Sequence, residues 1–243
     1  MLLTSDDEAS LSNYAPNMTL ILPAISVGNV GQLAVDLLIS SLDLELIAHS
    51  PANKLTLPLV GPSAYIQPGS KQLSTAVEVY SNKEKTLLVV QQRSDFISHA
   101  RKEFLDSLVE WIVKMKIKRV VLLSSAFLSS QLDSFLQCSE VEKTRRFLSK
   151  AGSAAFPSVD NFEQQMVSSR FDDPKSLRGA GISTSLFQRL DERNVAMLAL
   201  VRLCNEGEDN VADAVAVVNL LNDVISLKPV DKEWKRPISW MDL

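Results

Sequence analysis

The 243 residues carry 25 basic against 29 acidic side chains, a formal charge of −4, which gives no electrostatic case for nucleic acid or an anionic membrane as the main partner. With 46% apolar and 22% charged residues the chain has the means for a sizeable core and is not of the disordered class. The length admits one large domain or two small ones, no apolar run of about 18 residues offers a membrane span, and the acid at Asp6, Asp7 and Glu8 argues against a secretory or transit peptide.

Residues 1–17 are polar and acidic and read as a flexible N-terminal arm. Residues 18–22, MTLIL, form a short apolar run closed by Pro23, which suits a buried strand. In residues 29–42 the apolar side chains Val30, Leu33, Ala34, Leu37, Leu38 and Leu42 recur at steps of three and four, the mark of a helix. Asn29 is placed to cap that helix, with Gln32 three residues on in the reciprocal capping-box position. Residues 44–48 then read as a second strand.

Residues 51–75 hold Pro51, Pro58, Pro62 and Pro68, so an irregular excursion is predicted, with one extended piece at 57–60. Residues 76–80 and 86–91 flank SNKEK as a hairpin. Ile97, Ala100, Phe104, Leu108, Trp111, Ile112 and Met115 mark a second helix, and residues 119–123, RVVLL, a strand buried on both faces. Residues 124–182 are less regular and predict serine-rich turns, a short charged helix at 140–148 and a loop through Pro157 and Pro174. A helix at 183–193, a strand at 195–203 and a long helix at 211–227 follow, the last capped by Asn210 with Asp213 on its first turn. The alternation predicts an α/β fold: one domain over 18–228, helices on both faces of a mixed, mostly parallel sheet, and a C-terminal tail over 229–243.

Each candidate site meets a simpler alternative. SVGNVGQ after the first strand stands where nucleotide folds hold phosphate, but Ser26 replaces the first glycine of the dinucleotide fingerprint and no ribose-binding acid closes the next strand. Gly28 is then a turn residue and Gly31 a point of close helix packing. A serine triad would need His49 or His99, and no G-x-S-x-G elbow is present. The run LSSAFLSSQLDS is either a capped turn or the lining of a cleft. Cys138, Cys204, His49 and His99 lack zinc-site spacing, so no metal is expected. Cys204 reads as an inert core thiol. The tail places Trp234, Trp240, Met241 and Leu243 within its last residues, where the aromatics either pack back on their own domain or anchor in a partner's pocket.

Several blocks, in order, resemble the proteasome assembly chaperone 2 family. The most specific is LILPAISVGNVGQLAVDLLISSLDL at 20–44; AVEVYS at 76–81, VVQQRSDFI at 89–97, RVVLLSS at 119–125, GAGISTSLFQRL at 179–190, NVADAVAVVNLLNDVISLKP at 210–229 and WKRPISW at 234–240 follow. The resemblance implies a three-layer α/β/α sandwich with no enzymatic activity and no cofactor. It implies a heterodimer with proteasome assembly chaperone 1, in the cytoplasm and nucleus, that holds proteasome α-subunits during ring formation and prevents off-pathway α-ring dimerisation. Partners of that complex insert tails with a hydrophobic-Tyr-any ending. Met241 fits, but Asp242 replaces the tyrosine, so the resemblance assigns insertion mainly to the partner chain. The rival class is a small-molecule hydrolase or phosphorylase working near Gly28 and residues 124–130.

Overall fold

The computed structural model describes residues 3–50, 55–66, 71–128, 143–160, 177–205, 207, 209–228 and 233–240. Its strands are β1 (Thr19–Pro23), β2 (Glu45–His49), β3 (Val60–Pro62), β4 (Leu73–Thr75), β5 (Val77–Ser81), β6 (Leu87–Gln92), β7 (Arg119–Phe127), β8 (Thr144–Leu148) and β9 (Met197–Cys204). The main helices are α1 (Ser5–Ser12), α2 (Val30–Ser41), α3 (Arg101–Lys114), α4 (Ser183–Glu192) and α5 (Val211–Ile225). Helical turns at Gly152–Ala155 and Pro157–Asp160 join β8 to its surroundings.

One seven-stranded sheet runs in the order β2-β5-β6-β1-β7-β9-β8, and β3 with β4 makes a separate two-stranded ribbon. Pairing is parallel from β6 through β1 and β7 to β9, and antiparallel at β2–β5, β5–β6 and β8–β9. β1, β2, β6, β7 and β9 therefore point one way, β5 and β8 the other. The sheet is mixed and mostly parallel, as its apolar runs predict.

The alternation of side chains along each central strand makes two cores. Leu20, Leu22, Leu88, Val120, Leu122 and Val201 meet Leu11 of α1, Phe104 and Leu108 of α3 and Leu186 of α4 on one face. Ile21, Val89, Val121, Leu123 and Leu200 meet Val30, Ala34 and Leu38 of α2 and Val217 and Leu221 of α5 on the other. A strand covered on both sides has no polar pleat, which is why these runs are continuously apolar. α2 lies close on β7 because residue 31 is glycine: a Cβ there would stand 2.3 Å from the Leu123 carbonyl oxygen.

Several expectations are corrected. The N-terminal arm is structured: α1 is capped by Thr4, whose Oγ accepts from the Asp7 amide at 3.2 Å, and Leu3, Leu11 and Ala15 are buried. Asn29 is not a side-chain cap. Gly28 and Asn29 both adopt left-handed backbone (φ 66 and 54), so Asn29 lacks the extended conformation that aims a cap at the next turn, and the Gln32 amide donates to the Gln92 carbonyl instead at 2.9 Å. Asn210 is buried against Gly28, and the Val211 amide is taken by Asp209 Oδ1 at 3.1 Å. Ser124 and Ser125 continue β7 rather than turning. Residues 144–148 are an antiparallel edge strand, not a helix; an edge tolerates Arg145 and Arg146 because part of it meets water.

Candidate functional site

The carboxyl ends of β1, β6 and β7 open into a crevice of about 540 Å³, lined by Ser26, Val27, Phe96, His99, Arg101 and Phe127 among others. An open α/β sheet binds ligands at this end, where successive connections leave to opposite faces. Here most of the polar groups are spent on the protein itself. Ser26 Oγ lies 2.8 Å from Ser125 Oγ and accepts from the Ser125 amide at 3.0 Å. Ser125 Oγ donates to the Val27 carbonyl, and Ser124 and Ser183 share a hydroxyl contact of 2.7 Å. The Arg101 guanidinium donates to the Gly181 carbonyl. His99 is exposed in left-handed backbone (φ 69); His49 meets Thr75 Oγ at 3.0 Å on another corner. The hydroxyls of Ser26, Ser124, Ser125 and Ser183 thus stitch loops together, and none of these contacts is with a histidine.

Gly28 and Gly31 serve the same end of the sheet without lining the crevice. The space a Gly28 side chain would fill is taken by the Asn210 amide. Cys204 is buried, with its thiol 3.5 Å from the Val27 carbonyl. Cys138, Ser129 and Ser130 lie outside the described residues. Among the described residues, no group of three or more histidine, cysteine or acidic side chains could hold a metal ion, and no helix is long and apolar enough to cross a membrane.

Beside the crevice stands a corner that the sequence did not announce. The excursion 55–75 is tied to the loop after β6: the Leu57 amide donates to the Asp95 carbonyl at 2.8 Å, the Ile97 amide to Leu55 at 3.0 Å, and Thr56 bridges Phe96. Beneath it lies a buried polar network. Asp36 of α2 accepts from Tyr65 OH at 2.5 Å, Gln91 Nε2 at 2.6 Å and Arg93 Nη2 at 3.1 Å. Arg93 Nε reaches Glu78 at 3.4 Å, and Tyr80 OH donates to Glu78 at 3.1 Å. The Tyr65 and Tyr80 rings meet edge to face at 5.6 Å. Burial, with the Asp36 carboxylate beside it, pushes the Tyr65 phenol well above its ordinary value; burial and Glu78 do the same to Tyr80. Burial alone would lower Arg93, but Tyr65, Asp36 and Glu78 outweigh it and hold the guanidinium charged. Another cation, the fully buried Arg202, meets Asp213 at 2.6 Å, so Asp213 serves an ion pair as well as the first turn of α5.

The tail folds back over α2 and α5. Trp234 Nε1 donates to Asn219 Oδ1 at 2.7 Å, and Lys228 Nζ lies 4.1 Å from the centre of its ring. The Lys235 amide donates to Ser41 Oγ at 2.8 Å and the Ser239 amide to the Ala64 carbonyl at 3.2 Å. Trp234 and Trp240 are half-buried against the α2–α5 core. Met241 and Leu243 lie outside the described residues.

Residues 20–235 match the model of the PAC2 family. The chain belongs to that family. A proteasome assembly chaperone 2 of Nematostella vectensis is 35% identical over 225 residues, covering 88% of this chain and 91% of the relative. The Homo sapiens protein of that name is 32% identical over 238 residues, covering 91% and 89%. Pyrococcus furiosus PbaA, an archaeal homolog of proteasome-assembly chaperone, superposes with a TM-score of 0.65 at 16% identity, over 88% of this chain and 83% of its own. The seven-stranded mixed sheet with helices on both sides is thus a PAC2-family α/β fold.

Proposed function

We propose that this chain is a non-enzymatic proteasome assembly chaperone. It pairs with proteasome assembly chaperone 1, in the cytoplasm and nucleus, and holds proteasome α-subunits while the 20S α-ring forms, keeping finished rings from dimerising off pathway. The observation that carries this reading is similarity to relatives named proteasome assembly chaperone 2 over about nine-tenths of both chains. The corner geometry agrees with a binding role: its buried charges are satisfied internally and its outer face is apolar. An enzyme of this fold would need convergent free polar groups in the crevice, and the hydroxyls of Ser26, Ser124, Ser125 and Ser183 at this end of the sheet are engaged with backbone or with one another.

The test is gentle isolation of the tagged chain from its own cells, with mass spectrometry of what accompanies it. A second chaperone of similar size and proteasome α-subunits, without mature β-subunits, is the expected result. Recovery of the chain alone, monodisperse, would overturn the proposal.

A further inference from the structure

Large exposed aliphatic side chains scattered singly are ordinary, but a contiguous group marks a contact surface. Among the described residues, Val60, Leu73, Leu57 and Ile66 are 71%, 51%, 48% and 39% exposed, and only Tyr14 joins them from elsewhere. All four lie in the single excursion 55–75. In the ribbon, β3 and β4 pair Val60 with Thr75, Gly61 with Ser74 and Pro62 with Leu73. Side chains alternate along a strand, so Val60, Pro62, Leu73 and Thr75 share the outer face, while Ser74, on the other face, is buried.

Charge says what kind of surface fits there. Residues 55–75 contain one charged side chain, Lys71. The outer face of α3, by contrast, carries the ion pairs Lys102–Asp106 and Arg193–Glu110. A client that must be released is met through charged, salt-sensitive contacts, whereas a permanent subunit interface is apolar like a core cut in two. An aliphatic centre without charges favours a partner surface that is uncharged where the two meet, since a charge buried there would go unpaired. Area points the same way. A stable contact buries roughly 800 Å² on each side; the exposed Val60 and Leu73 supply its dry centre, not its whole extent. The polar remainder is at hand in β2, one of the sheet's two edge strands, with Glu45 and His49 exposed. The ribbon is also pre-set, because Tyr65 is clamped by Asp36 and Arg93 and Thr75 by His49, so little ordering opposes docking.

We propose that the outer face of the β3–β4 ribbon, centred on Val60 and Leu73, is the docking surface for the permanent partner chain, which meets it with an apolar, uncharged face. This rests on the reading of the chain as an assembly chaperone and assigns that chaperone's mate, not its α-subunit clients, to the ribbon. The test co-expresses the full chain with proteasome assembly chaperone 1 and reads pairing by native mass spectrometry and by titration. The double substitution Val60→Glu, Leu73→Glu changes two exposed positions, so melting stays as in wild type while pairing weakens about a hundredfold or more, two tenfold steps of affinity. Lys102→Glu on α3 leaves pairing unchanged, as does high salt. Hydrogen exchange on the wild-type complex gives a readout free of mutation: amides at 57–62 and 73–75 slow on pairing. Failure of the wild type to pair overturns the proposed function. Wild-type pairing with an equally tight double variant, or with no slowing in the ribbon, overturns the ribbon assignment alone. A dimer of this chain by itself, broken by the double substitution, overturns the choice of occupant.

Discussion

Replacing Arg93 by methionine tests whether the corner beneath the ribbon is a dry, charge-balanced joint. Arg93 lies 3.1 Å from Asp36 and 3.4 Å from Glu78, and those carboxylate side chains are only 8% and 1% exposed. Methionine fills similar space but leaves both carboxylates without that cation. Removing one partner of a buried ion pair costs about 3–5 kcal/mol, because the remaining charge has neither water nor a counter-ion. Against a total stability of about 5–15 kcal/mol this is a large fraction. At about 2–4 °C per kcal/mol for a chain of this size, melting falls by roughly 6–20 °C. Circular dichroism melts and urea midpoints measure the loss. Because Tyr65 loses its 2.7 Å contact with Arg93, hydrogen exchange in residues 57–66 rises by more than in the central strands. Adding Glu78→Gln to Arg93→Met removes one stranded charge and recovers about 1 kcal/mol or more, the signature of coupled neighbours. A loss below about 1 kcal/mol for Arg93→Met would refute the reasoning: it would mean water reaches Asp36 and Glu78 and the network behaves as a surface pair.

Three further outcomes follow from the same geometry. Gly31→Ala would ordinarily gain up to about 1 kcal/mol in a helix, but its Cβ would stand 2.3 Å from the rigid Leu123 carbonyl, so the unfolding free energy from urea titration should drop by about 1–3 kcal/mol; an unchanged value means α2 can lift from β7 freely. Tyr65 and Tyr80 have raised folded-state pKa values, so their contribution is full below an unfolded tyrosine's pKa of about 10 and is lost above it, at about 1.4 kcal/mol per pH unit per phenol. Urea midpoints at rising alkaline pH should show that slope, reduced in Tyr65→Phe, Tyr80→Phe; an equal slope in the double variant sinks the assignment. Trp234→Ala removes a 2.7 Å hydrogen bond to Asn219 and the ring beside Lys228, lowering stability by about 2 kcal/mol with pairing intact; weakened pairing at unchanged melting would make the tail an anchor for a partner.

The parts of this fold that read easily from sequence are those where one physical demand dominates. β1, β7 and β9 are buried on both faces, so residues 20–22, 120–123 and 197–201 run apolar without a break, and α2 and α3 show their buried stripes at helical spacing. β8 did not read as a strand, because a sheet edge accepts the polar residues of TRRFL and composition there imitates a helix surface. α1 had a legible start, Thr4 followed three residues later by Asp7 and an acidic first turn, but its short apolar face hid among polar residues. Asn29 and Gln32 matched the capping-box spacing while the backbone at Asn29 is left-handed; spacing carries no information about φ. The polar corner is harder still. Asp36 and Glu78 interrupt buried apolar stretches, and such an interruption is a usable signal, since a buried acid requires a partner. Which partner is another matter: Arg93 is 57 residues from Asp36, and only the packing of α2 on β6 brings them together.

That corner also explains how a fold shaped for small ligands can offer a protein-binding face. At the carboxyl ends of β1 and β7 the backbone turns sharply through Gly28, Asn29, Gly179 and Gly181, all left-handed. The hydroxyls of Ser26, Ser124, Ser125 and Ser183 tie the adjoining loops shut. Across the crevice from those loops, the 94–97 segment holds Leu55, Thr56 and Leu57 through main-chain bonds. The network under Tyr65 then fixes the excursion from the α2 side. The ribbon is a two-stranded piece too small to be stable by itself, yet it is braced from the crevice and from the polar corner. Its outward aliphatic side chains are therefore presented in one fixed arrangement, and the polar machinery of the site goes into holding an apolar surface still.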